Sequence, residues 1–211
     1  MVRVRLMRTE DTFLAAAIHI EGQPHGFLTS LGQHFVARLF AYAIRSPHGF
    51  GFVAVEGKVI GFVVGTTNTA RLYRDVLTRG FVPLAVALLG HVLRHPRVVR
   101  KLLETLRYPA MMQEQPGEAE SISRGVRVDW RGKGVGSLLW KAVTGEARRR
   151  GATHIITTVD QAHDVVNAWH RARNHELVRT FVLHRRPMNV YRIPLEPDPG
   201  PTGEDFVPKV R

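Results

Sequence analysis

No cysteine occurs among the 211 residues. Disulfides, thiolate metal sites and a cysteine nucleophile are thereby excluded. Long apolar runs are missing as well. The longest, FVPLAVALLGHVL at 81–93, is too short to span a bilayer. The opening MVRVRLMRTED lacks the apolar core of a signal peptide, so a cytoplasmic location is the default expectation. Aromatic residues make up only 8% and no nucleic-acid reader motif is present, so nucleic acid is not an expected partner. Acids are scarce too: 18 Asp and Glu face 30 Lys and Arg, a formal net charge of +12. That balance suits an anionic ligand or surface, such as a phosphorylated cofactor, an acidic substrate or anionic lipid. What is present is ordinary for a globular domain, with 44% hydrophobic and 23% charged residues. The length suits one domain with a real core.

The pattern along the chain alternates strands and helices. VRVRLM (2–7) reads as a strand. Thr9 caps a helix to about Ile20, with Phe13, Ala17 and Ile18 inward. Ser30 and Gln33 form a capping box for a second helix. GFVAV, the turn EG and KVIGFVVGT make a hairpin over 51–66. Two or three helices are predicted over 69–109. In the last of these, Val98, Val99, Leu102, Leu103 and Leu106 form one stripe opposite Arg97, Arg100, Lys101, Glu104 and Arg107. A strand follows near 120–128, a helix over 134–150, a buried strand at 153–159, a helix at 164–174 and strands at 176–184 and 189–195. The tail from 196 to 211 is rich in Pro and Gly and predicted to be loosely held. This order predicts a mixed α/β sheet.

Between the strand near 120 and the helix from 134 stands WRGKGVGSLL (130–139). A helix start leaves amides unpaired and carries partial positive charge. Glycines let the backbone approach a ligand closely, and Arg131 and Lys133 add full charges. The turn is built to hold a phosphate or pyrophosphate. It is not a Walker A loop, since the Gly-Lys-Ser/Thr ending is missing. It fits the dinucleotide fingerprint poorly, since Ser137 stands where the third glycine belongs. A tight strand-to-helix loop with solvated cations is the plain structural alternative.

Strand, VRVDW, Arg-x-x-Gly-x-Gly, helix, strand, helix resembles the acetyl-CoA-binding core of the GNAT acetyltransferases. Arg131, Gly134 and Gly136 match the signature, and Val126 stands five residues before Arg131. The resemblance spans 2–195 apart from 69–118. It implies one domain over 1–195: a mixed, mostly antiparallel α/β sheet with a splayed central strand pair, flanked by helices. Residues 69–118 are then a helical insertion between the third and fourth strands. It implies acetyl-CoA as co-substrate and direct transfer to a primary amine. Residues Arg131, Gly132, Lys133, Gly134, Val135, Gly136 and Ser137 would hold the pyrophosphate. Gly125, Val126 and Val128 would pair with the pantetheine arm, the Val126 amide polarising the thioester carbonyl. Glu120 matches the base glutamate of the histone-modifying members, with a solvated strand-start residue or an anchor for the acceptor amine as its alternatives and Glu21 as a second candidate base. In NAWHRARNHEL, with Asn174-His175 in place of the family's Gly-Phe, His170 occupies the place of the tyrosine that protonates the departing thiolate, serving either as that acid with a pKa near neutral or as a helix-surface histidine, and Asn167 bonds to the pantetheine or the neighbouring strand.

The acceptor is open: a small amine, an amino sugar or a protein amine. So are a longer acyl donor and a non-catalytic acyl-CoA-binding module of the same fold. The insertion can serve as a packing layer, a homodimer interface, a peripheral membrane contact, or a lid over an anionic acceptor with Arg71, Tyr73 and Arg74 at its entrance. His91 and His95 have i, i+4 spacing but no third ligand, so no metal site is expected.

Overall fold

The Glu56-Gly57 turn closes the hairpin as predicted, with Gly57 at φ +69°, and the rest of the sheet extends from it. A computed structural model describes residues 1–96 and 98–196; all of the predicted tail beyond Glu196 lies outside them. In chain order the elements are β1 (Arg3–Leu6), α1 (Thr12–Gly22), α2 (Phe27–Ser30), α3 (Gln33–Arg45), β2 (Gly49–Glu56) and β3 (Lys58–Thr66). Then come α4 (Thr69–Arg94), α5 (Val98–Leu106), α6 (Tyr108–Met112), β4 (Glu118–Val126) and α7 (Val135–Arg149). The chain continues through β5 (His154–Asp160), α8 (Asp164–Arg171), β6 (Glu176–Leu183) and β7 (Arg186–Pro194).

The seven strands form one sheet in the order β1-β2-β3-β4-β5-β7-β6. Every neighbouring pair is antiparallel except β4 with β5. That parallel pair is brief. It runs from Glu118↔His154 to Ser121↔Thr157, after which β4 stays with β3 to Val126 and β5 stays with β7 to Asp160. The two strands therefore part in the middle of the sheet. A bulge accompanies the parting: Val64 faces Ser123, Gly65 faces Ser121, and Ile122 is the extra residue. His19 of α1 lies 3.0 Å from Ser123 Oγ just beyond it, holding the bulged strand to the helix.

Helices α1 and α3 and the insertion cover one face, with Phe40, Phe62, Val64 and Leu84 in one core. Helix α7 covers the other, with Leu139, Val143 and Ala147 against Ile60, Val63 and Ile155. Four local predictions fail. Thr9 does not cap α1: it begins a 3-10 turn, and Asp11 stands at the N-cap with no side-chain bond. Phe13 is 44% exposed and packs on His34 rather than facing inward, since Ala15, Ala16 and Ile18 fill the buried face. The capping box does not form: Ser30 ends α2 and donates to the Phe27 carbonyl, while Gln33 donates to Phe13 O and Gly32 caps α3. The α5 stripe is only partly covered, with Val98 buried but Val99, Leu103 and Leu106 exposed.

Gly125 fixes the closeness of α1 to β4. A Cβ there would stand 2.8 Å from Phe62 Cε1 and 3.1 Å from Ile18 Cγ2. Gly125→Ala is expected to cost about 1–3 kcal/mol and to lower the melting temperature by about 2–10 °C in a thermal melt.

Candidate active site

The turn after β4 has the shape its composition predicts. Gly132 and Gly134 take φ of +75° and +80°, and a Cβ on either would meet nothing within 4 Å. Glycine is needed there for conformation, not for room. Gly134 caps α7, and residues 131–134 before it are exposed, so the turn that leads into this fifteen-residue helix lies at the surface. Arg131 Nε donates to the Val126 carbonyl at 3.1 Å, and Lys133 lies 5.0 Å from the Trp130 ring. Both cations are thereby held beside the turn. Ser137 differs from expectation: its amide already donates to Gly134 O at 3.0 Å, which leaves only its hydroxyl for a ligand.

The register tells which β4 amides face the opening. Arg127 N donates to Ile60 O of β3, and an antiparallel strand turns alternate residues the same way. Gly125 and Ser123 therefore also bond toward β3, while Val126 and Arg124 point into the gap left by β5. The Val126 amide is on the open edge of β4. Val128 is not: it lies in a 3-10 turn beyond the strand, and its amide donates to Glu21 Oε1 at 2.9 Å. One bond thus ties Val128 to the second candidate base.

Glu120 is completely buried. Its carboxyl accepts hydrogen bonds from Thr69 Oγ1 at the start of α4 and from the Tyr108 hydroxyl of α6. Burial pushes its pKa up to about 7 against the opposing effect of these two donors, and Glu114 nearby adds to the rise. The Tyr108 hydroxyl also lies 2.8 Å from Thr158 Oγ1, on the part of β5 that has left β4. A hydrogen-bonded chain thus runs from the buried carboxyl to the wall of the opening. Tyr73 stacks on Tyr108 at 6.0 Å, and burial and Glu120 raise the pKa of both phenols. Arg71 and Arg74 are exposed on the same helix.

The other side of the opening corrects the expectation for His170 and decides between the two partners expected for Asn167. His170 is fully buried, stacked on Tyr191 at 4.2 Å, with Nδ1 2.9 Å from His175 Nδ1. Burial, His175 and the cations Arg124 and Arg173 push its pKa down to about 3. This setting disfavours an imidazolium acid near neutral pH. Asn167 is spent on structure. Its amide donates to the carbonyls of Asp160, His163 and Gln161, and its oxygen accepts from Asn189 and Tyr191. It ties α8 to the end of β5 and to β7, with nothing left for pantetheine.

Sequence reasoning missed Thr69, Tyr108 and Arg124. The Arg124 guanidinium lies 4.7 Å from the Trp140 ring and 5.8 Å from Trp169, between α7 and α8. Among the described residues it has neither a carboxylate nor a hydrogen-bond acceptor, and burial lowers its pKa to about 10. Counting by two from Val126 would have found its amide; nothing local signalled the side chain.

The family profile described as the Acetyltransferase (GNAT) family matches residues 14–174. The chain belongs to the GNAT acetyltransferase family. GNAT proteins are acyl-CoA-dependent transferases, and this chain is one. Solved GNAT folds agree with the sheet and its flanking helices. An N-acetyltransferase from Staphylococcus aureus Mu50 is 16% identical, with a TM-score of 0.59 over 93% of this chain and 99% of that one. The ribosomal-protein-S18-alanine N-acetyltransferase of Escherichia coli is 14% identical, with a TM-score of 0.56 over 98% and 100%. Arabidopsis thaliana NAA60, in complex with acetyl-CoA, is 11% identical, with a TM-score of 0.56 over 92% and 99%. No curated protein matches the chain. Among the described GNAT residues, no group of three or more His, Asp or Glu could hold a metal ion.

Proposed function

We propose that this protein transfers an acetyl group from acetyl-CoA directly to a primary amine, with Glu120 accepting the amine's proton. The observation that carries the reading is the chain Glu120–Tyr108–Thr158, which links a carboxyl poised near pH 7 to the gap between β4 and β5. The glycine turn lies at the other end of β4. A CoA anchored there would run its arm along the free edge toward Glu120. Val126 then meets the pantetheine. Arg124, two residues nearer Glu120, turns its amide to the thioester carbonyl in the role first given to Val126.

The amine nitrogen forms its bond to the thioester carbon, and the amine proton passes to Glu120 through the Tyr108 hydroxyl. The carbon–sulfur bond then breaks and releases the CoA thiolate. With His170 neutral, the Arg124 cation offsets the charge of the departing sulfur. The acceptor enters beneath the insertion, past Tyr73 and the exposed Arg71 and Arg74, which favour an anionic amine.

Titration calorimetry with acetyl-CoA, free CoA and a longer acyl-CoA, followed by transfer assays on an amine panel, tests this reading. One-to-one acetyl-CoA binding with turnover supports it. Binding without turnover on any amine leaves a non-catalytic acyl-CoA module, and preference for the longer donor reassigns the acyl group. Tyr108→Phe keeps the ring and removes one donor to the carboxylate. The pH at which kcat/KM rises is expected to move up by about one unit, with a fall in maximal rate.

A further inference from the structure

Helix α4 is apolar on two sides, and the body of the protein covers one. Leu84 is buried in the core, and Leu88 and Val92 pack against it. On another face Val82, Val86, Leu89 and Leu93 recur at helical spacing and stand 67%, 66%, 58% and 74% exposed. Helix α5 repeats the arrangement beside it: Val98 is buried while Val99, Leu103 and Leu106 are exposed. Single exposed apolar residues need no explanation, but a stripe of this length on one helix does.

The charge around the stripe has one sign. No acid occurs between Asp75 and Glu104. Both of those are engaged, Asp75 with Ser46 Oγ at 2.6 Å and Glu104 with the His184 amide at 2.7 Å. Arg79, Arg94, Arg100 and Lys101 are all exposed, and Arg79 precedes Val82 and Val86 by three and seven residues on the same side of the helix. No helix among the described residues is long and apolar enough to cross a membrane.

We propose that the exposed face of α4 and α5 docks on the surface of an anionic phospholipid bilayer, with the stripe seated at the acyl boundary and the arginines among the headgroups. A second copy of the chain would fit the apolar stripe but not the charge, since pairing two such faces brings cations against cations with no acid to answer them. Anionic headgroups answer both. The insertion then has two roles, since it also supplies Thr69 and Tyr108 to Glu120.

Co-sedimentation of the full chain with vesicles decides the matter. Binding to mixed phosphatidylglycerol–phosphatidylcholine vesicles is expected to be at least tenfold tighter than to phosphatidylcholine alone, and to weaken as salt is raised. Leu89→Glu with Leu93→Glu should lose at least tenfold in that binding while keeping the wild-type melting temperature, since both side chains are exposed. Arg79→Gln with Arg94→Gln should lose the preference for anionic vesicles. No binding to anionic vesicles, or equal binding by the double glutamate variant, overturns the proposal. So does a dimer in light scattering that the glutamate variant dissolves, which would assign the face to a second copy.

Discussion

Glu120→Gln is expected to lower kcat/KM for acetyl transfer by about 10²–10⁴-fold and to leave acetyl-CoA affinity unchanged. The carboxyl lies toward the opposite end of β4 from the glycine turn, and glutamine keeps its size, its one oxygen accepting from Thr69 or Tyr108 while its amide donates to the other hydroxyl. The base is lost, and one hydroxyl turns from donor to acceptor. In the wild type, the base works when ionised. Its pKa is held near 7, so kcat/KM should rise with pH through about 7 and level off above it, and the variant should lack that rise. The same shift has a stability consequence of definite sign. Glu120 ionises near 4.5 in the unfolded chain and near 7 in the fold. Its protonated form carries no penalty below pH 4.5, and stability is lost as pH rises through 7. The full loss is on the order of 3 kcal/mol. Glu120→Gln should therefore match the wild type in denaturant melts at pH 4 and exceed it at pH 8. A variant equally active, or one no more stable at pH 8 than at pH 4 relative to wild type, would sink the assignment of a buried, poised base.

The second large effect is on the donor. Arg131→Ala combined with Lys133→Ala is expected to weaken acetyl-CoA binding by about 10–100-fold, with a shallower salt dependence than the wild type. Both side chains are exposed beside amides that a fifteen-residue helix leaves unpaired, so the fold should survive their loss. Calorimetric titration at two salt concentrations measures both quantities. Unchanged affinity would mean that the cations are merely solvated and that the turn is only a strand-to-helix connection.

Much of this site could be read from the sequence because its parts are local. Val126, Arg131, Gly134 and Gly136 lie within eleven residues, and a strand, a tight turn and a helix start follow from their order. Positive φ at Gly132 and Gly134 is a property of those residues in that turn. The parting of β4 and β5, the insertion and the mostly antiparallel sheet also follow from the order of elements that the resemblance supplied.

Side-chain roles behaved otherwise, because environment sets them. Glu120 was legible as a candidate, but its pKa depends on burial beneath Thr69, 51 residues away, and Tyr108. His170 occupied a suggestive position, yet its cage of Tyr191, His175 and Arg124 removes the proton the role required. Asn167 and Val128 had free hydrogen-bonding groups on paper and none in the fold. The α5 stripe was visible as a pattern, but whether protein covers it was not. Periodicity and turn chemistry are fixed by neighbours in the chain, so the sequence alone determined the scaffold and the glycine turn. Protonation, hydrogen-bond saturation and exposure are fixed by neighbours in space, so only the tertiary structure decided which residues remain free to act.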